Sequence, residues 1–412
     1  TRSMLAQAAC VGNGFDLETL AELAGEPPRE TLDSLWQGIE KDLVRPLDER
    51  YLRLLTPECE PGTAAGSRFE FANAQARKAA YALLSRRSRS ELRLRIGRLL
   101  LRKTPQAGFE DRLFEIVDHL NEGFKQIEEP AERRRLVELN LTAGRKAKRA
   151  GAYGAAVRYL NMGIGLLPAA KWKRPAALTR ALYLEAVETE YLDANFDRAE
   201  MLAREVLERS PDLRTRIRLD ELRVLFYTAS NRPDAAIEAG REALELLGVF
   251  LPEVPAGRET RAEELEKVLA GIGEPIEALA GLPHLRDERA MTAMRLLADL
   301  AAPAHERRRA LLPSLIARMV AISAEHGNSP MAALAYGWYG ALLCGKPGDI
   351  ARGRRFGLLS LEVVGTYAAP EAEAKVGFLF NTFVRPWVEH ARESIRPLMA
   401  SYQAGLQTGE LQ

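Results

Sequence analysis

Eight basic side chains crowd one helical stretch, Arg86, Arg87, Arg89, Arg93, Arg95, Arg98, Arg102 and Lys103, opposed there by the single acid Glu91. Guanidinium and ammonium groups at that density suit phosphate or carboxylate oxygens, so the stretch predicts contact with nucleic acid or with an acidic protein surface. No aromatic or amide side chains interleave with them to read bases, which favours the protein surface. These eight residues are the candidate interaction site. No catalytic, cofactor-binding or metal-binding residue is assigned.

Other chemistries find no footing. A phosphate-cradling loop of the form G-x-x-x-x-G-K-[ST] is absent, and Gly12-Asn13-Gly14 matches only the opening of such a loop and predicts a turn into a capped helix. There is no His-Arg-Asp catalytic loop and no Asp-Phe-Gly metal site of a protein kinase. The five histidines, His119, His284, His305, His326 and His390, contain no His-x-x-x-His pair that would put two ring nitrogens on one helical face. His119 resembles a phospho-acceptor only in having a neighbouring acid, so a structural histidine is expected. Cys10, Cys59 and Cys344 are too few and scattered for a disulfide framework or a four-ligand zinc site, and a reducing cytoplasm fits best. The chain is expected not to be an enzyme.

Composition agrees with a folded protein: 412 residues, 47% hydrophobic and 28% charged, with 58 basic against 57 acidic residues. A net charge of +1 leaves no global field to draw the molecule to nucleic acid or membrane, so any attraction is local. The longest apolar run, Ala332 to Cys344, is short of the roughly 20 residues that span a bilayer and predicts a buried helix. No export signal is present at the start. The chain opens at Thr1 without Met and closes in helix-like sequence at Gln412, so both ends read as internal to a longer polypeptide.

The elements that position these residues divide at Pro105. From residue 1 to 104 the pattern predicts three helices, a small hairpin and a further helix. Asp16 caps a helix bearing Leu17, Leu20, Ala21 and Ala24, and Pro27-Pro28 separates it from one bearing Leu32, Leu35, Trp36 and Ile39. Leu43-Val44, Tyr51 to Leu55, and Phe69-Glu70-Phe71 read as strands, the last after a flexible stretch at 61–66. That order suggests a winged-helix-like α/β domain over 1–104.

Beyond it, residues 105–412 read as helical repeats. Tyr153-Gly154-Ala155-Ala156, Phe196-Asp197-Arg198-Ala199 and Pro233-Asp234-Ala235-Ala236 align at spacings of 43 and 37 residues, each followed twelve residues after its last Ala by a helix stop, Pro168, Pro211 or Gly248. Ala199, Leu202, Ala203, Val206 and Leu207 form one helical stripe, with alanines small enough for close helix approach. After a loop at Pro252, Pro255 and Gly257, helical runs are expected over 263–279, 288–300, 309–325, 332–344, 351–364, 371–383 and 393–406. The fold class is therefore mainly α, a small winged-helix-like domain followed by an α-α superhelix of tetratricopeptide-like repeats.

Four segments carry a more specific likeness: Arg95 to Leu100, Leu113 to Asn121, Leu139 to Lys148, and Glu325-His326-Gly327-Asn328-Ser329-Pro330. In this order they resemble the central region of large bacterial and cyanobacterial signalling proteins that join a serine/threonine kinase, a STAND-type AAA ATPase module, helical repeats and a sensor histidine kinase. Phe71, Ala79, Ala80 and Tyr81 match a family motif of strand and helix, but Asn73-Ala74 replaces its His-Asp pair. The resemblance implies a non-catalytic regulatory scaffold that couples nucleotide state to kinase output, with a concave repeat surface for a protein or peptide partner. It places ATP and Mg²⁺ in ATPase and kinase domains outside this chain, and makes an acidic face of that ATPase core the partner of the basic stretch. The alternative is the repeat region of a STAND-type ATP-dependent transcription regulator.

Overall fold

A computed structural model describes residues 1–55, 66–173, 176–209, 212–251, 270, 275–345 and 349–408. They fall into two compact units, Thr1–Arg209 and Ser210–Gln412. The described residues are mainly helical, with one small sheet.

The first unit opens with α1 (Arg2–Val11), β1 (Gly14–Asp16), α2 (Leu17–Ala24), α3 (Pro28–Glu40), β2 (Val44–Pro46), a 3-10 turn at Arg50–Leu55, β3 (Arg68–Phe71) and α4 (Ala74–Ala82). Asp16 caps α2 as expected, its carboxylate accepting from the Thr19 amide at 2.7 Å. The sheet departs from the expected hairpin. Its order is β1-β3-β2, all antiparallel, with Phe15 opposite Phe69 and Val44 opposite Phe71. Gly14–Asp16 thus forms a strand that was not expected, between the Gly12-Asn13 bend and the helix that Asp16 caps. Tyr51–Leu55 is not a strand, because Asp48 folds the chain there: its carboxylate accepts from the Arg50 amide at 3.0 Å and the Arg68 amide at 3.2 Å. Phe15, Phe69 and Phe71 pack in a core with Leu17, Leu20, Leu32 and Leu35.

Among the described residues of this unit helices follow: α5 (Arg86–Lys103), α6 (Gln106–Glu122), α7 (Pro130–Arg149), α8 (Tyr153–Leu166), α9 (Ala177–Leu192) and α10 (Phe196–Arg209). The second unit holds α11 (Leu213–Ala229), α12 (Pro233–Leu246), α13 (Glu288–Asp299), α14 (Ala301–Arg307), α15 (Leu312–His326), α16 (Pro330–Cys344), α17 (Ile350–Val364), α18 (Pro370–Leu379) and α19 (Ile395–Thr408). The 371–383 run ends in a π turn at Phe380–Val384. The helix expected over 263–279 lies largely outside the described residues, and its end forms a 3-10 turn at Ile276–Gly281. The loop at 252–257, Cys59, Pro211 and most of 61–66 also lie outside them.

Each aligned signature begins the second helix of a hairpin, α7/α8, α9/α10 or α11/α12. The turn before it is the same each time. Two residues ahead of the signature stands a left-handed residue, Gly151 (φ 71), Ala194 (φ 61) or Asn231 (φ 55). The next amide reaches back five residues, Ala152 to Ala147, Asn195 to Glu190 and Arg232 to Tyr227, at 2.8–3.0 Å. With the left-handed residue's own amide reaching back three, Gly151 to Lys148, Ala194 to Tyr191 and Asn231 to Thr228, this closure satisfies carbonyls that the end of a helix leaves open. Ala156, Ala199, Ala203 and Ala236 are buried, where small side chains let neighbouring helices close up. In the second unit α16 is buried almost all round, with Ala332, Ala333, Ala335, Tyr336 and Tyr339 in the core. Among the described residues no helix is long and apolar enough to cross a membrane.

Candidate interaction surfaces

The basic stretch forms α5. Ser85 starts it, its hydroxyl accepting from the Ser88 amide at 3.1 Å, and Leu92, Ile96, Leu99 and Leu100 supply the buried face. Arg102 and Lys103 lie in the last turn, where the helix dipole favours cations, whereas Arg86, Arg87 and Arg89 crowd the first turn, where it disfavours them.

Most of these cations are engaged within the unit. Arg98 grips Glu132 with two bonds of 2.6 Å, and Arg102 and Lys103 share Glu22 at 2.9 Å each. Arg95 donates to the Leu23 carbonyl, and Arg87 pairs with Glu91 one turn on. Arg89 lies 4.7 Å from the centre of the Tyr81 ring and donates to the Leu84 carbonyl. Arg93 turns furthest inward, 3.4 Å from both Glu122 and the Nδ1 of His119. Arg86 and Arg87 are the members that stand out into solvent at the start of the helix.

His119 is buried between Arg93 and the backbone of Val11, and loss of water, reinforced by the Arg93 charge, pushes its pKa down to about 4. It is therefore a neutral packing residue at ordinary pH. His284 bonds the Tyr367 hydroxyl at 3.0 Å, and His390 caps the turn at Ala391–Ser394. Cys10 and Cys344 are buried free thiols, each raised in pKa by burial. Among the described residues no cluster of His, Cys, Asp and Glu gathers as a metal site requires.

The segments that carry the family likeness sit where elements cross. Gly97 faces Leu120 so closely that a Cβ would stand 2.7 Å from its side chain. Asn121 and Asn140 exchange side-chain amide bonds of 2.9 and 2.8 Å across α6 and α7. Asn328 is a buried hub: its amide donates to the Leu279 carbonyl at 2.7 Å, its side-chain oxygen accepts from Tyr336, and its backbone bonds Pro283 and Leu285. Gly327, at φ 109, has the Pro283 oxygen 2.3 Å from where a Cβ would be, so no other residue fits. Ser329 then caps α16 and Pro330 occupies its first turn.

One groove escaped the sequence reading. It has a volume of about 590 Å³ and is lined by Val157 and Asn161 of α8, Glu190 near the end of α9, Ala194, and Asn195 to Arg198. The buried Glu190 carboxylate accepts from Asn161 at 2.8 Å and Asn195 at 2.9 Å, which ties α8 to the α9/α10 turn. Its lining comes from three separated segments. No local pattern in the sequence joins Asn161, Glu190 and Asn195, which stand 29 and 5 residues apart.

No protein-family profile and no solved structure matches the chain. The sequence is similar to the hybrid signal transduction histidine kinase G of Dictyostelium discoideum, 21% identical over 467 aligned residues. The match takes in 98% of this chain but 14% of that protein, so the chain spans about one seventh of its length.

Proposed function

We propose that this chain is a regulatory and protein-interaction region of a signal-transduction protein, a hybrid that also carries a STAND-type AAA ATPase module and serine/threonine and histidine kinase domains. The observation that carries this reading is the likeness to a hybrid histidine kinase along 98% of the chain, joined to hairpins that repeat one turn geometry. Residues 1–104 serve as a winged-helix-like domain that docks on the nucleotide-binding core, and 105–412 as tetratricopeptide-like repeats that offer a surface to a protein or peptide. ATP and Mg²⁺ are held by the other domains, and the assembly works in the cytoplasm.

The mechanism is a population shift. Nucleotide state changes how the first domain docks, and the repeats carry that change to the kinase. Arg86 and Arg87 supply the docking charge, because α5 presents both to solvent in its first turn, Arg87 being held only by the exposed Glu91 one turn on. The test is charge reversal, Arg86→Glu with Arg87→Glu, in the full-length polypeptide, read as histidine autophosphorylation against ATP concentration. The reading expects altered output with unchanged folding. Wild-type output at every nucleotide concentration overturns the docking role of α5.

A further inference from the structure

The groove between α8 and the α9/α10 turn gathers negative charge. Glu190 lines it at 2% exposure, its two oxygens bonded to the neutral amides of Asn161 and Asn195. The same Asn195 amide donates at 3.1 Å to Asp193, which brings a second carboxylate beside the first. Asp197 is a third, in the lining itself. Among the described residues none of these three carboxylates is in an ion pair. Arg198 is the cation of the lining, and it reaches only the Asn161 oxygen, at 3.5 Å. Carboxylates brought together away from water, with amides for neighbours, favour the arrival of a positive charge.

The third hairpin shows which positive charge this register receives. Asp234 stands there where Asp197 stands in the second, as the second residue of the aligned signature. Two guanidinium groups from the end of α14 meet it, Arg307 at 3.1 Å and Arg308 at 3.2 Å.

From this correspondence we infer that the groove binds an arginine side chain of a basic peptide segment in a partner protein. The inference deepens, and rests on, the reading of residues 105–412 as a surface for a protein or peptide. The guanidinium donates to Asp197 and to Glu190, each of whose oxygens keeps a second lone pair. A planar fork of donors serves two carboxylates at once, which the compact ammonium of lysine does less well. Val157 and the ring of Phe196, 39% exposed, offer apolar surface to the methylene stem and the flat face of the guanidinium. The groove volume of about 590 Å³ admits the side chain together with the backbone that carries it, since pockets of roughly 300–1,000 Å³ hold ligands of that size.

Calorimetric titration of the 412-residue chain with the acetylated peptide Ala-Ser-Arg-Arg-Ser-Ala tests this, against a twin peptide carrying neutral citrulline in place of each arginine. The expected result is binding of the arginine peptide that is about tenfold or more tighter than that of its twin, because charge-assisted bonds are lost in citrulline. Asp197→Asn should weaken the arginine peptide about fivefold or more, with unchanged far-ultraviolet dichroism. Glu190→Gln should weaken it too, but Glu190 also holds the turn, so the exposed Asp197 is the deciding position. Asp234→Asn, outside the groove, should leave the affinity as it is. Equal affinity for the two peptides, or no binding of either, overturns the inference. So does an arginine peptide that Asp197→Asn binds as wild type does, which would place the site elsewhere. Such a failure removes this ligand and leaves the wider reading to the kinase-output measurement, which does not depend on it.

Discussion

The Tyr336 hydroxyl donates to the side-chain oxygen of Asn328 at 3.0 Å inside the second unit, and through Asn328 the 276–285 segment is tied to α16. Removing the amide takes one donor from the Leu279 carbonyl, which keeps the Leu282 amide, takes one acceptor from the tyrosine hydroxyl, and leaves a cavity in a buried site. Asn328→Ala should therefore cost about 2–4 kcal/mol, and Tyr336→Phe only about 1 kcal/mol, since it removes a donor and leaves the amide its other bonds. Urea midpoints of the two variants check the order. Equal midpoints for both would mean that the hub is not what holds this segment.

The repeated left-handed turn gives a prediction of opposite signs at equivalent positions. Ala194 adopts a conformation that a Cβ disfavours, so Ala194→Gly should stabilise the first unit by about 0.5–1 kcal/mol. Gly151→Ala should destabilise it by roughly 1 kcal/mol. Thermal unfolding of the pair checks both signs together.

Ala199 is fully buried at the start of α10, so a leucine there must displace packed neighbours. Ala199→Leu should cost about 1–3 kcal/mol by overpacking. An unchanged denaturation midpoint would show that the helices do not close on this position.

Those alanines were legible in the sequence because small residues at a helical spacing, followed by a stop, carry the hairpin register by themselves. Asp16 was legible as a cap for a similarly local reason. β1 was not, since Gly14–Asp16 holds three residues and its partner strand lies beyond residue 67. Tyr51–Leu55 mixes apolar and basic residues as an exposed strand does, and only the two bonds to Asp48 reveal the turn. Composition gave the charge of α5 but not its direction. Arg89 and Arg93 lean on Tyr81, so substitutions there disturb packing as well as charge. The groove around Glu190 was invisible for want of any local pattern.

Acid should weaken the first unit through His119. Its folded pKa, down to about 4, lies below the ordinary 6.5, so between those values the unfolded chain binds the proton first. Stability is full above about pH 6.5 and falls as pH drops toward 4, by about 3 kcal/mol in all. His119→Gln should flatten this slope in urea midpoints taken across the range.

Asp299 in the second unit runs the other way. Burial, aided by the Glu221 charge, pushes its carboxyl up to about 6, so the folded chain keeps a proton that the unfolded chain releases near 3.8. Stability present below about pH 4 is lost as pH rises through 6. Asp299→Asn should remove that loss, measured as a smaller fall in urea midpoint between pH 4 and 7.

The central claim is that this chain reads nucleotide state by contact and binds no nucleotide itself. Calorimetric titration of the chain with the proposed nucleotide-binding module, loaded with ADP or with a non-hydrolysable ATP analogue, tests it directly, with Mg-ATP alone as the companion titrant. The account predicts a flat trace with Mg-ATP alone and affinities for the two loaded forms that differ by about fivefold or more. Micromolar heat from Mg-ATP alone, or equal affinity for both forms, would contradict it.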